Sequence, residues 1–358
     1  MLERLLHTFS AGVVPLVISL GGQGDIGPRL QAKGIEVIAL GMRAGVPSPA
    51  AVWRLASHLR RFRADVVHTW MYHADLVGGI AARLAGVRPV MWGIHQSNID
   101  PAVNKRSTLW VMKLCAAMSS WLPARIACVA NRARDVHVAA GYAAGRFVVI
   151  PNGFDLDRFR ADASARASVR AELGLGPEVP LVGMIGRFDP QKNHRGFVDA
   201  MVSLLQLRPG AHALLAGSGV DASNATLLHW LDEAGITAAC HLLGRRDDMP
   251  RLMAALDLLM LPSVGEAFPN VVGEAMACGV PCVVTDVGDA AEMVGALGKV
   301  VAPGDMAGLA SAAADLLALP VARCEALARA LQIDVRRRYE IGAIAKRYES
   351  EYRALAAH

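Results

Sequence analysis

Two glutamates, Glu266 and Glu274, stand eight positions apart in the stretch 262–281, PSVGEAFPNVVGEAMACGVP. An ionised carboxylate only accepts hydrogen bonds, and so suits paired hydroxyls. Between the two, Pro269 fits the first position of a helix, where a missing N–H costs nothing; the helix is predicted to run through Val271, Glu274 and Met276 until Cys278 and Gly279 end it. The unpaired N–H groups of a helix start attract anions, phosphate above all. Glu266 in the loop and Glu274 about one turn into the helix therefore frame an anion site with a hydroxyl acceptor at either end. A nucleotide-sugar, with ribose, diphosphate and hexose in that order, has the matching layout.

These groups need elements to hold them. Residues 256–261 are apolar on both faces apart from Asp257, as expected of a strand buried in a parallel sheet. Residues 180–186 read as a second such strand and end in GRFDPQKNH, which sets Arg187 and Lys192 on a loop. In an open parallel sheet both loops lie at the carboxyl edge, where ligands bind. Two cations, two carboxylates and a helix N-terminus then make a cradle for a diphosphate.

The run EAFPNVVGEAMACG beginning at Glu266, GRFDPQKNH beginning at Gly186 and IPNGFD beginning at Ile150 resemble the retaining glycosyltransferases of the GT-B fold, the large fourth family, glycosyl transferases group 1. The resemblance spans nearly the whole chain. It implies an α/β architecture of two Rossmann-like, doubly wound parallel-sheet domains facing across a cleft, donor mainly on the second and acceptor on the first, with closure aligning them. By position, Glu274 binds the ribose hydroxyls, Glu266 lies against the donor sugar, and Arg187 and Lys192 neutralise the diphosphate. His95 falls beside the donor sugar and the reaction centre, and forms the catalytic set with Glu266, Arg187 and Lys192. Gly217, Ser218 and Arg245, in loops after two later strands, join Phe268, Pro269, Asn270 and Val271 on the donor side. Tyr72, His73 and Asp75, following a strand of the first half, form the acceptor side. The segments WMYHAD from Trp70 and WGIHQSN from Trp92 are similar to bacterial enzymes of surface-polysaccharide assembly, which implies a lipid-linked saccharide acceptor. No Asp-x-Asp metal signature occurs at the site, so neither metal nor cofactor is expected beyond the nucleotide-sugar co-substrate.

Length and composition agree with this organisation. The 358 residues suit two domains, placed at 1–152 and 153–335, with 336–358 as a helix crossing back to the first. Strands and helices alternate on both sides of the turn at 151–153. A hydrophobic fraction of 53% and a mean hydropathy of +0.33 suit parallel sheets covered on both faces. The most apolar long stretch, 109–130, is interrupted by Lys113, Pro123 and Arg125, so it is no membrane span. Glu3, Arg4 and His7 do not read as a secretory leader, and the six cysteines read as buried thiols of a cytoplasmic protein.

Charge is unevenly shared. Residues 1–150 hold 17 Lys and Arg against 7 Asp and Glu, and the remainder 20 against 25. The segment 52–63 sets Trp53, Leu55, Leu59 and Phe62 among arginines, and Lys105, Arg106, Trp110 and Lys113 extend the basic surface. Such helices lie on anionic lipid or pack on a sheet with solvated arginines. Peripheral contact with the inner face of a membrane is thus one expectation for the first domain; nucleic acid is not, since no recognised module is present.

The chain departs from the family at two places. A doubly wound domain opens on a strand followed by a glycine-rich loop, whereas Met1 to Phe9 reads as a helix; that strand and loop would lie upstream. Gly21, Gly22 and Gly24 follow a later strand, 13–20, and read as a plain turn. Ala267 replaces the glycine common after the first glutamate. The alternative reading is therefore a nucleotide-sugar-binding protein impaired in turnover. A dinucleotide oxidoreductase is disfavoured by the missing GxGxxG after an opening strand, and a periplasmic solute-binding protein by the missing leader.

Overall fold

The computed structural model describes residues 1–42, 49–101 and 104–357. The chain forms two compact units, Met1–Gly153 with Ile341–His358, and Phe154–Glu340. The first boundary lies within a residue of the one expected from the Pro151-Asn152-Gly153 turn.

The first unit alternates α1 (Leu2–Leu6), β1 (Leu16–Ser19), α2 (Ile26–Gln31), β2 (Glu36–Ala39), α3 (Pro49–Phe62), β3 (Val67–His68), α4 (Tyr72–Ala85), β4 (Val90–Ile94), α5 (Arg106–Met118), β5 (Arg125–Cys128), α6 (Asn131–Ala139) and β6 (Phe147–Val149). The predicted start of α5 at Ala102 lies outside the described residues. Every pairing is parallel. β4 is buried along its whole length and reads VMWGI, the continuous apolar run of a strand covered on both faces. Among the described residues the strands form two pieces, β1-β2 and β3-β4-β5-β6. A cavity of about 770 Å³, mainly apolar, is lined by β1 on one side and β3 on the other.

In the second unit, β7 (Leu181–Ile185), β8 (His212–Ala216), β9 (Cys240–Leu242), β10 (Leu258–Leu261), β11 (Cys282–Thr285) and β12 (Lys299–Val301) form one parallel sheet in the order β12-β11-β10-β7-β8-β9. Around it run α7 (Ala163–Glu172), α8 (His194–Leu207), α9 (Ala225–Glu233), α10 (Met249–Ala255), α11 (Asn270–Ala277), α12 (Ala290–Val294), α13 (Met306–Leu317) and α14 (Val321–Tyr339). Phe197, Met201 and Leu204 of α8 and Leu309 and Ala313 of α13 close one core over Val182, Leu215 and Met260. Asp257, the polar residue ahead of β10, takes Arg166 at 2.6 Å, Arg170 at 2.5 Å and the Leu181 N–H at 2.8 Å. It thereby joins the starts of β7 and β10.

The tail differs from the single crossing helix expected over 336–358. Glu340 is extended (φ −62°, ψ 131°) and bridges to Phe154, whose N–H donates to Tyr339 at 2.8 Å, so 336–340 belong to the second unit. Only α15 (Ile341–Ala356) returns to the first, where Ile344, Ala345 and Tyr348 pack on Leu5, Met91, Ala127 and Ile150. No single described helix is long and apolar enough to cross a membrane.

Candidate active site

The sheet order of the second unit fixes where a ligand can sit. The chain leaves β7 towards β8 and β9, then returns to lay β10 on the opposite flank of β7. The crevice beyond β7 and β10 is a topological switch point, where doubly wound sheets bind ligands. The loops after these strands carry Arg187, Lys192 and Glu266.

They are joined at one contact. Lys192 Nζ lies 2.6 Å from Glu266 Oε1, with side-chain exposures of 20% and 9%, and Ser263 Oγ donates to the same oxygen at 2.8 Å. Two further bonds hold the loops in register, one between main chains and one from a side chain. Val264 N–H donates to Gln191 O at 2.8 Å, and Asn193 Nδ2 to Pro262 O at 3.1 Å. Asn193 sits in the left-handed region (φ 55°), and its side chain caps α8 through the Gly196 N–H at 3.0 Å. Asp189 caps the short turn before it and also accepts from Arg187 Nε at 3.0 Å. Arg187 nonetheless keeps 65% of its side chain exposed, a cation at the rim.

Pro269 is the N-cap of α11 rather than its first helical residue, and Asn270 begins the helix. Asn270 is exposed and Val271 half-buried, so this helix start opens to solvent next to the Lys192–Glu266 pair. Glu274, one turn on, is 7% exposed. Phe268 does not face outward: its ring is buried and packs on Phe154 and Tyr339, at centroid distances of 6.3 and 5.4 Å. What Phe268 and the buried Pro269 offer a ligand is their backbone.

The loops after β8 and β9 complete the rim. Gly217 (φ 151°) comes so close to β7 that a Cβ there would lie 2.0 Å from Gly186 O. Its N–H donates to Gly244 O, and the Phe188 N–H to Ser218 O, both at 2.8 Å. Ser218 and Arg245 are exposed beside these bonds. The second unit thus gathers every donor-side residue expected from the sequence at one sheet edge.

Residues 7–158 match the family model described as Glycosyltransferase Family 4, and residues 179–319 the one described as Glycosyl transferases group 1. The lipopolysaccharide core biosynthesis mannosyltransferase LpsB of Rhizobium meliloti is 31% identical over 333 residues, 87% of this chain and 90% of that one. The chain belongs to this glycosyltransferase family. The glycosyltransferase is also 30% identical over 233 residues to the UDP-Gal:alpha-D-GlcNAc-diphosphoundecaprenol alpha-1,3-galactosyltransferase of Escherichia coli, a match that spans 64% of this chain and 59% of that enzyme's length. In fold it is similar to Anabaena HepE, solved in complex with UDP-glucose, with a TM-score of 0.84 at 23% identity over 98% of this chain and 95% of that one. The GT-B fold expected from the sequence is the fold observed.

In the first unit the expected residues separate. His95 follows β4, and its ring stacks on Trp70 at 4.3 Å and 10°. Burial, helped by the positive amino group of Met1, pulls its imidazole down to about 4, so His95 is neutral at physiological pH. His73 is half-buried and lines the cavity beside β3. Tyr72 and Asp75 correct the expectation of an acceptor surface, because both side chains point inward from the first turn of α4. Tyr72 is 2% exposed and its hydroxyl pairs with His137 Nε2 at 2.7 Å. Asp75 is fully buried and accepts from Thr69 Oγ1 at 2.5 Å, and burial pushes it up to about 7 against that bond.

The sequence reading also missed a support. The Asp289 N–H donates to Ala267 O at 2.9 Å, and Gly288 (φ 57°) lies so near that a Cβ would be 2.4 Å from Glu266 O. Thr285 Oγ1 donates to Ser263 O at 2.5 Å. The signal was the VGDA segment from Val287, a glycine turn at the end of the strand beside β10.

Proposed function

We propose that this glycosyltransferase moves a sugar from a nucleotide diphosphate sugar to a saccharide or lipid-linked saccharide during bacterial surface-polysaccharide assembly, retaining anomeric configuration and needing no metal. The observation that carries the donor assignment is the Lys192–Glu266 pair at the switch point, 2.6 Å apart, with the open start of α11 next to it and Glu274 one turn inside. Glu274 takes the ribose hydroxyls and Glu266 the donor sugar. As the bond from the anomeric carbon to the diphosphate breaks, negative charge builds on the leaving phosphate. Arg187, Lys192 and the N–H groups of α11 are fixed in place to receive it, the preorganised electrostatics that dominates this kind of catalysis. The acceptor oxygen attacks from the face the diphosphate leaves, and its proton passes to the leaving phosphate oxygen.

Support for the acceptor class comes from the relatives, one named for lipopolysaccharide core biosynthesis and one for a diphosphoundecaprenol-linked substrate. Peripheral membrane contact of the first unit belongs to the same reading. It is supported by Trp53 and Trp110, 58% and 64% exposed on α3 and α5, two helices with several basic and no acidic residues. Titration against UDP, GDP and ADP, followed by transfer assays with the sugars of the nucleotide that binds, tests the proposal. Saturable binding weakened at least about tenfold in Glu274→Gln and transfer unaffected by EDTA are the expected results. No binding of any nucleoside diphosphate would overturn it.

A further inference from the structure

His95 is half-buried at the carboxyl edge of β4, the edge of a parallel sheet where ligands bind. Among the described residues no hydrogen bond orients its imidazole, and one ring packs on it: Trp70, with centroids 4.3 Å apart and planes 10° from parallel. The backbone beneath this stack is locked. Met71 N–H donates to Gly93 O at 2.7 Å, and a Cβ on Gly93 would lie 2.6 Å from Thr69 O and 3.6 Å from Trp70 Cα. The ends of β3 and β4 therefore meet just ahead of His95 with no room between them. Met71 is held at φ 73° and ψ 156°, a conformation that residues with side chains rarely adopt and that the surrounding structure must impose. The buried Asp75 adds to the lock, accepting from Thr69 Oγ1 at 2.5 Å and from the Gly93 N–H at 3.4 Å.

The indole is backed in turn. His68 lies 5.1 Å from Trp70, centroid to centroid, and its Nδ1 meets the Tyr352 hydroxyl of α15 at 2.7 Å. Tyr348, one turn earlier on that helix, packs on His68 at 5.6 Å. Trp70 thus stands in a row of rings running from α15 to the sheet edge, and the outermost ring is an imidazole, able to donate and to accept. Packing alone does not call for such a group at that end.

We propose that Trp70 is a positioning residue for transfer: its indole, fixed by the joined ends of β3 and β4, sets the plane of the His95 imidazole and so the directions of its N–H and its acceptor nitrogen. This role rests on the placing of His95 beside the donor sugar that the family resemblance implies, and it deepens the proposed function. Trp70 acts through His95 rather than on a reacting atom. A ring held by stacking keeps both nitrogens for the substrate, whereas one held by a hydrogen bond gives up one of them. The stack also orients the imidazole before substrate arrives, which is how prior alignment lowers a barrier.

The test combines steady-state transfer by the full chain, using the nucleotide-sugar selected by titration against UDP, GDP and ADP, with NMR of the histidine side chains. In the unaltered protein the His95 ring protons, identified by their disappearance in His95→Ala, are expected upfield of those of an unstacked histidine because they lie over the indole. Random-coil positions would overturn the proposal without any variant of Trp70 having to fold. Trp70→Leu should lower kcat and kcat/KM together by about 10- to 100-fold with little change in the KM for donor, the loss expected when a group is misplaced in the transition state. Trp70→Phe, which keeps a flat ring, should recover most of that loss. In a His95→Ala background Trp70→Leu should have little further effect; a full additional loss would mean that Trp70 acts by another route and would refute its positioning role. An unchanged kcat in Trp70→Leu, where His95→Ala is impaired, sinks the positioning role and leaves the placing of His95 intact. Unimpaired transfer by His95→Ala instead sinks that placing, and the role of Trp70 with it.

Discussion

Lys192→Ala separates what the Lys192–Glu266 pair does for the fold from what it does for the reaction. Removing the ammonium leaves a carboxylate that is 9% exposed and still accepts from the Ser263 hydroxyl at 2.8 Å. Breaking a fully buried pair on one side costs about 3–5 kcal/mol. With 20% of the lysine side chain exposed, partial screening brings this to about 1–3 kcal/mol. For a unit of this size that corresponds to a fall in melting temperature of roughly 2–10 °C. Glu266→Gln removes the charge that needs the cation, so adding it to Lys192→Ala should restore most of the loss, a coupling of about 1–2 kcal/mol. Transfer should respond in the opposite way. A charge-assisted bond to a diphosphate contributes about 1.5–3 kcal/mol, so kcat/KM should fall roughly 10- to 150-fold in Lys192→Ala, and Glu266→Gln should not rescue it. Melting by circular dichroism and steady-state transfer with the bound nucleotide's sugars read the two effects. A kcat/KM within threefold of the parent would remove Lys192 from the diphosphate site, and additive melting shifts would refute the coupling.

Glu274→Gln should raise the KM for donor by about 10- to 100-fold with a smaller change in kcat, because the carboxylate's bonds to hydroxyls exist before and after the chemistry; an unchanged KM contradicts the assignment. Tyr72→Phe should cost about 1 kcal/mol of stability through the lost bond to His137 and leave transfer untouched, as denaturant unfolding and the same assay will show. Gly288→Ala, at φ 57° with a Cβ 2.4 Å from Glu266 O, should lower both stability and kcat, while Gly235→Ala, at φ 67° with open space around it, should lower stability alone. Acid should destabilise the first unit. His68 and His95 are held down at about 3 and 4 from 6.5 by burial, so the unfolded chain binds more protons and their contribution, complete above about 6.5, is lost as pH falls towards 4. Asp75, raised to about 7, has the opposite slope. Asp75→Asn should therefore steepen the loss between pH 6.5 and 4, measured as denaturation midpoints across that range.

The apolar runs 180–186 and 256–261 placed β7 and β10 within two residues, since both are buried on both faces and spell it out as LVGMI and LLML. The meeting of Lys192 and Glu266 was legible for a related reason: each lies in the loop that follows such a strand. Orientation within a helix was not. Tyr72 and Asp75 look like rim residues because they follow β3, yet the first turn of α4 turns both into a buried network with Thr69 and His137. Phe268 looked like a ligand contact and is a wedge against Phe154. The Gly288 support escaped because its role is a close backbone approach, and a lone glycine in a loop does not announce which backbone approaches it. Likewise the divided sheet follows from which edges pair, and the sequence of each strand is silent on that.

The rim of the second unit is stitched by main chain: Gly217 to Gly244, Phe188 to Ser218 and Val264 to Gln191, all at 2.8 Å. None of these bonds depends on a side chain, so the path of the backbone along this rim is held independently of the side chains that stand on it. A library that varies exposed side chains along this rim should therefore consist mostly of folded protein, whereas one that randomises Gly217 and Gly244 would mostly yield insoluble chains.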